Sequence, residues 1–561
     1  MLRHSRIGRA VAVLCAALLL GGCGGGDRGA SGPLVVVPGA TIPPGVQEIA
    51  NPLRGQYEDL MMPLFPQANP AQRRYPAWPA SDDASLRVSW RQLQPADPGT
   101  LPPDTPDDKK FDFSVIDEAL TKLATRNMRL TLRVFAYNSC CDASYPNNTN
   151  IAIPDWMRPA SAEYPGPQRY WWTPGVTQVV PNWNDPAYLR AFGDLLAALG
   201  RRYDGDERLS VFEFSGYGDF SENHIAYLRD KLGAPGAPPD ESVAKLGYYS
   251  QFRDQSITSA SIQQLVAANV DAFPHTQLVT TPLNPEIVKQ LLDDDVTKKL
   301  SAPVGIRSDC LGVLAPLPAW AEADGSHYVQ TKNPLVGQLK DRMASGLVIT
   351  EWCQLPDGTD PRTYYDKGLR DVVKYHVSMT SSFNFPAVDA TTPMDPALYL
   401  LWAKANVFAG YRYSVEPRPD SQTVRDGVAT LSVVWTNYGS AAAVENWVPT
   451  YRLVDFAGAA VRTLPATVAL KTLAPGKSQD SGDEPVATSH TESVSVDLNG
   501  LPPGHYTLRA SVDWQQHKPG ASHVVNYPPM HLARHGRDEA GGYPLATLDI
   551  PRDALTSVPP R

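Results

Sequence analysis

Two glutamates carry the first chemical signal. Glu222 lies in the short run Gly218-Asp219-Phe220-Ser221-Glu222-Asn223-His224, and Glu351 follows the apolar run Leu347 to Thr350 and precedes Trp352. Paired carboxyls do acid and base work when their surroundings tune them apart. Other polar or aromatic residues stand in the same setting, at or just past a β-rich run: Arg87, Trp90, Arg91, Tyr137, Asn138, Asp309 and Asn384. Glu213 sits nearby, but alternation along Val211 to Ser215 points it into the sheet wall, where an ion pair with Arg133 accounts for it. Asp309 is placed to pair with Arg307 or to bind a ligand.

The elements that must position these residues alternate in type. Eight β-rich runs are expected at Gln56 to Met61, Leu86 to Trp90, Leu130 to Ala136, Leu209 to Ser215, Gln277 to Thr281, Val304 to Ile306, Leu347 to Thr350 and Met379 to Phe383. Between them, Asp-Pro or Asn-Pro pairs open amphipathic helices at Asp185, Asn284, Asn333, Asp360 and Asp395. A further helix is expected from Ser114, with Ile116, Leu120 and Leu123 on one face. Eight such units predict a (β/α)8 barrel from about Val46 to Val415, with its active site at the C-terminal ends of the strands. Glu222 and Glu351 then follow strands four and seven. From Glu416 to Arg561 the pattern changes to period two, as in Leu431, Val433 and Trp435, which predicts an all-β sandwich. A dinucleotide fold is excluded, because Gly216-Tyr217-Gly218 is followed by Ser221 where a third glycine belongs. No phosphate loop or Gly-x-Ser-x-Gly elbow is present either.

Charge narrows the partners. Lys and Arg number 50 against 59 Asp and Glu, and no basic run tracks a phosphate backbone, so nucleic acid is not an expected partner. Met1 to Cys23 carries Arg3, Arg6 and Arg9 before an apolar run from Ala10 to Leu20, too short to span a bilayer. The ending Leu20-Gly21-Gly22-Cys23 resembles a bacterial lipoprotein signal, which implies lipidation at Cys23 and membrane attachment through that lipid. Gly24 stands where an aspartate would imply inner-membrane retention, so the outer membrane is expected, with residues 23–45 as a flexible tether. Export implies an oxidising compartment, in which Cys140, Cys141, Cys310 and Cys353 are expected to form loop-pinning disulfides rather than a zinc site. His517, His523, His531 and His535 read as solvated surface.

The run Arg87-Val88-Ser89-Trp90-Arg91-Gln92-Leu93-Gln94-Pro95, with Phe111-Asp112-Phe113 and Ile116-Asp117, resembles the opening of barrel glycoside hydrolases of the cellulase and β-galactosidase clan. Asn51-Pro52-Leu53-Arg54-Gly55 and the Gly218 to His224 run resemble bacterial families in which such a barrel precedes a β-sandwich. The resemblance implies a retaining mechanism, with Glu222 as acid/base and Glu351 as nucleophile, and Arg87 holding Glu351 ionised. Where the clan carries Asn-Glu after strand four, this chain has Ser221-Glu222. His224 or Asn223 would orient Glu222 or a sugar hydroxyl. A carbohydrate cleft would also use Trp156, Tyr170, Trp171, Trp172, Trp183 and Trp352, because indoles stack on sugar C–H faces. No metal or organic cofactor is required. Two other readings fit the same residues: a non-catalytic carbohydrate-binding lipoprotein and a structural envelope lipoprotein.

Overall fold

The computed structural model describes residues 32–43, 49–60, 81–138, 149–150, 152–157, 168–173, 176–181, 183–224, 257–313, 335–352, 355, 358–381, 395–476 and 482–552. Eight strands close into a parallel barrel: Gly55–Asp59, Asp83–Ser89, Arg129–Phe135, Leu209–Glu213, Gln277–Thr280, Gly305–Leu311, Val348–Trp352 and Met379–Ser381. The eighth returns to the first through Met379 opposite Gly55. All eight expected runs are present in the expected order. Helices Ser114–Ala124, Pro186–Tyr203, Ser259–Ala272, Leu335–Ser345, Pro361–Lys374 and Pro396–Phe408 lie between or after them.

The helix starts follow from their caps. Asp185, Asn284, Asp360 and Asp395 each accept hydrogen bonds from backbone N–H groups of the first turn, and proline fills the first helical position. Asn333 and Pro334 lie outside the described residues, although the Leu335–Ser345 helix follows them.

Period-two alternation sorts the strand side chains into an outer core under the helices and an inner stack. Tyr57, Val211, Val279, Leu347, Ile349 and Met379 fill the inside of the barrel with apolar side chains. One step toward the C-terminal ends the inward positions turn polar: Arg87, Arg133, Glu213, Arg307 and Glu351. The barrel is therefore plugged below and ionised above, and chemistry is confined to one end.

The C-terminal module is a two-sheet sandwich. Tyr413–Pro417, Thr423–Arg425, Val428–Asn437 and Thr488–Asp497 form one sheet; Trp447–Val454, Ala460–Pro465, Gly504–Trp514 and Tyr543–Ile550 lie in the other, joined by Val35–Val36. That last strand corrects the expected tether. Gly32 N donates to Asp549 O, Val37 N to Leu545 O and Ile42 N to Ala533 O, and Leu34 is buried. An edge of unpaired backbone groups on the Tyr543–Ile550 strand captures the segment, because a strand edge satisfied by pairing costs less than one left open.

The module covers the N-terminal floor of the barrel. Arg129, at the start of strand three, makes a two-pronged ion pair with Glu445 at 2.7 and 2.8 Å, and Trp514 Nε1 donates to the same carboxylate. Lys518 Nζ donates to the carbonyls of Asp206 and Leu209 and to Thr276 Oγ1, and burial pushes its ammonium down to about 8. His517 lies 3.2 Å from Glu207, and His523 is 3.1 Å from Asp206. Both side chains stay about half exposed, as expected of solvated surface, and each also touches a carboxylate of the barrel floor. His531 exchanges two backbone hydrogen bonds with the Asn51 side chain, which explains why Asn51 opens the first barrel unit.

Candidate active site

Glu222 is delivered by a loop of unusual backbone geometry. Past strand four, Gly216 and Gly218 have φ of +116° and +86°, and the non-glycine residues Phe220, Ser221 and Asn223 also lie in the left-handed region. Such conformations persist only where neighbours over-determine them, and they concentrate at functional sites. Here the neighbours are explicit. Ser221 Oγ donates to Val134 O, Phe220 N to Tyr137 O, and Thr281 Oγ1 to Glu222 O. Asn223 Nδ2 donates to Thr280 Oγ1 and to Thr281 O, tying the loop to strand five.

The loop brings Glu222 to the top of the polar stack. One oxygen from each of Glu222, Asp309 and Glu351 lies within 4.8 Å of the others. Asp309 reaches this position through a register shift between Ser308 and Leu311, where Cys310 takes a φ of +64° and is disulfide-bonded. The other cysteines, Cys23 and the expected partners Cys140, Cys141 and Cys353 among them, lie outside the described residues.

Three guanidiniums knit the carboxylates together. Arg87 Nη2 donates to Glu351 Oε2 and, at 3.2 Å, to Asp59 Oδ2. Arg133 spans Glu213 Oε2 and Glu222 Oε1, the latter at 2.7 Å. Arg307 donates to Glu213 Oε1 at 2.9 Å, Glu351 Oε2 at 2.6 Å and Asp309 Oδ1 at 2.9 Å. His224 Nε2 lies 3.1 Å from Glu222 Oε2. The side chains of Arg133 and Arg307 are only 1% exposed, whereas Glu222, Asp309 and His224 are each 11% exposed and form the outer surface of the cluster.

Asp59, Glu213, Glu222, Asp309 and Glu351 outnumber Arg87, Arg133, Arg307 and His224, so the cluster holds a proton in a medium that penalises unbalanced charge. Burial pushes Glu351 up to about 8, with Asp309 and Glu222 adding to the rise against Arg87 and Arg307. Burial likewise raises Asp309 despite Arg307. For Glu222 burial acts upward too, but the His224 hydrogen bond, Arg133 and Arg87 overcome it and hold the carboxyl well below the usual range. His224 is raised: burial lowers it, and Glu222 more than compensates. Glu222 is thus pulled down and Glu351 pushed up, the opposite directions from those expected of a strand-four acid and a strand-seven nucleophile.

Glu222, Asp309 and Glu351 offer the hard oxygen donors that a divalent cation takes. Their oxygens already face guanidiniums and His224, so a cation would bind only by displacing those groups.

Several expected ligand contacts fall elsewhere. Trp90 is fully buried, donates from Nε1 to Gln94 Oε1, and meets Trp156, Tyr188 and Phe192 edge-on. Tyr137 and Trp183 pack on each other in the same core. Trp352 is buried against Tyr364 and Tyr365 beneath the Pro361–Lys374 helix. Alternation explains Trp90 and Trp352: each is one position out of phase with an inward residue, so it faces the helices and not the cleft, whereas Tyr137 and Trp183 lie past the strand ends and are drawn into the same core. Asn223 is likewise fully buried and serves the loop rather than a ligand. Trp156 is partly buried and donates to Gln94 O. Trp171 and Trp172 lie on strand Gln168–Thr173, paired with Val176–Pro181, between barrel strands three and four in the chain. Their side chains, and Asn384, lie outside the described residues. Asp59 and Tyr57 were missed by sequence reasoning, although their i, i+2 spacing on strand one placed both on one face.

No protein-family model matches the chain, and no curated protein matches it. Among solved structures it is similar to endo-glycoceramidase II from Rhodococcus sp., with 13% identity and a TM-score of 0.35 over 80% of this chain and 97% of that one. It is also similar to the tri-modular endo-β-1,4-glucanase B from Bacillus halodurans, with 10% identity and a TM-score of 0.33 over 86% and 97% of the two chains. A third is the catalytic domain of the major endoglucanase from Xanthomonas campestris pv. campestris, with 11% identity and a TM-score of 0.30 over 65% and 99%.

Proposed function

We propose that the chain is a glycoside hydrolase that cleaves a glycan by a two-carboxylate retaining mechanism. The observation that carries this reading is the approach of Glu222 and Glu351 oxygens to within 4.8 Å at the C-terminal mouth of the barrel. Retaining chemistry needs carboxyls about 5 Å apart, whereas inverting chemistry leaves a wider gap for water. The ionisation order supplies the roles. A Glu222 oxygen attacks the anomeric carbon as the bond to the leaving oxygen breaks, and the Glu351 proton passes to that oxygen. Water then attacks the glycosyl ester, returning a proton to Glu351 and freeing Glu222, so two inversions give retention. Asp309 is placed to hold a sugar hydroxyl. Arg87, Arg133, Arg307 and His224 keep the carboxylates fixed and differently charged. A panel of aryl glycosides tests this: wild type hydrolyses at least one, and Glu222→Gln and Glu351→Gln each lose more than about a thousandfold in kcat.

A second reading, carbohydrate binding without catalysis, is favoured by one observation. Both carboxylates are engaged by guanidiniums, which stabilises them in place without requiring turnover. Binding of a glycan to wild type with no hydrolysis of any panel member selects it. We further propose lipid attachment at Cys23; palmitate labelling that survives Cys23→Ser overturns that part.

A further inference from the structure

The proposed reaction uses Glu222 and Glu351, and a third glutamate links the arginines that hold them. Glu213, the last residue of strand four, has a side chain 4% exposed and lies beneath the mouth. Its Oε2 accepts from Arg133 Nε, and its Oε1 accepts from Arg307 Nη1 at 2.9 Å. Each guanidinium then spends another nitrogen on one of the paired carboxylates: Arg133 Nη1 on Glu222, Arg307 Nη2 on Glu351. One path from Glu222 to Glu351 therefore runs through this buried anion; a second runs through Arg87, whose Nη1 is 4.0 Å from Glu222 Oε1 and whose Nη2 donates to Glu351. We infer that Glu213 is a positioning residue, whose two oxygens fix the reach and orientation of Arg133 and Arg307 and so set the separation and charge of the Glu222 and Glu351 pair. This inference rests on the hydrolase reading for its kinetic consequence only.

Three observations support the assignment. An ion pair of Glu213 with Arg133 alone would leave the second oxygen idle, yet both oxygens are used, on arginines from different strands. Guanidiniums are planar forks, so fixing one edge aims the other. Burial acts to raise Glu213, but Arg133, Arg307 and Arg87 overcome it, so the anion persists. The groups around it are Tyr57 and Asp59 from strand one, Arg87 from strand two, Arg133 from strand three, Arg307 and Asp309 from strand six, Glu351 from strand seven, and Glu222 with His224 from the loop. Tyr57 OH is 3.4 Å from Arg307 Nη1.

The test compares Glu213→Gln and Glu213→Asp in the full chain, with folding checked by thermal unfolding. An amide cannot accept on both sides, so Glu213→Gln frees one guanidinium and removes one negative charge. The expected result is a kcat fall of about a hundredfold with KM within about threefold, as a misplacement near 1 Å produces. Glu213→Asp keeps the charge but loses reach: its pH profile stays at the wild-type position while kcat falls about tenfold. The His224 imidazole, followed by NMR with labelled histidine, gives a readout that needs no substrate. In Glu213→Gln its pKa falls by about half a unit or more, because Arg133 turns its full charge on Glu222. A folded Glu213→Gln with an unchanged His224 titration overturns the inference. If that variant does not fold, wild-type kcat in Glu213→Asp overturns it. Wild type failing on every glycoside refutes the hydrolase reading and leaves the His224 titration to decide the positioning role.

Discussion

Replacing Glu351 by glutamine gives the most quantitative test of the charge balance in the barrel mouth. A carboxyl whose folded pKa lies above its unfolded value binds more protons folded than unfolded between those values. Stability is then lost as pH rises through that window, which for Glu351 runs from about 4.5 to about 8. At about 1.4 kcal/mol per unit the whole shift amounts to roughly 5 kcal/mol. Glu222 and Asp309 share the same protons, so roughly half, about 2 to 3 kcal/mol, belongs to Glu351 alone. Glutamine keeps the shape of the neutral acid and does not titrate. Asp83, raised to about 7, and Glu58, raised to about 8, both by burial first, titrate in the same window in both proteins and cancel in the difference. Urea unfolding of wild type and Glu351→Gln at pH 5 and pH 8.5 is the assay. The variant gains about 2 to 3 kcal/mol on wild type between the two conditions. Parallel pH dependences, or a gain in the opposite direction, refute the charge argument.

The floor and the Glu222 loop give further expectations. Glu445→Gln breaks the buried Arg129 pair, so stability falls by about 3 kcal/mol in urea unfolding, while aryl-glycoside kcat/KM stays within about twofold. Gly218→Ala places a Cβ 2.6 Å from His224 N at a φ of +86°, so the loop must move; kcat falls about a hundredfold with a stability loss of about 1 to 3 kcal/mol. Cys310→Ser relaxes the register shift that aims Asp309, raising KM about tenfold or more, and reductant added to wild type has the same effect. Wild-type KM in reductant contradicts that link.

Most of the fold was legible because two periodicities report it directly. Helix starts were fixed by Asp-Pro and Asn-Pro pairs, whose capping carboxyl or amide acts locally and owes nothing to tertiary context. The strands showed as short β-rich runs alternating with the helices, and the sequence placed Arg87 near Glu351, Arg307 near Asp309 and Arg133 near Glu213, all of which are in contact. The differences were of facing and of charge. Trp90 follows the end of strand two and Trp352 ends strand seven, and a strand end does not announce which side it presents until neighbouring strands fix the pleat. The resemblance gave Glu222 the proton, whereas Arg133 and His224 converge on it from elements 89 residues upstream and two residues downstream and favour its charged form. Such convergence is a property of closure, not of local sequence. The tether failed for a similar reason: Gly32 to Pro43 has a linker composition, yet an open strand edge from the far end of the chain captures it.

The central claim is that Glu222 attacks sugar while Glu351 supplies the proton. Incubation with a panel of dinitrophenyl 2-fluoroglycosides, followed by proteolysis and mass spectrometry, reads the nucleophile directly. The account predicts a glycosyl adduct on the peptide containing Glu222, absent in Glu222→Gln. An adduct on Glu351, or none with any sugar on a protein that hydrolyses the parent glycoside, contradicts it.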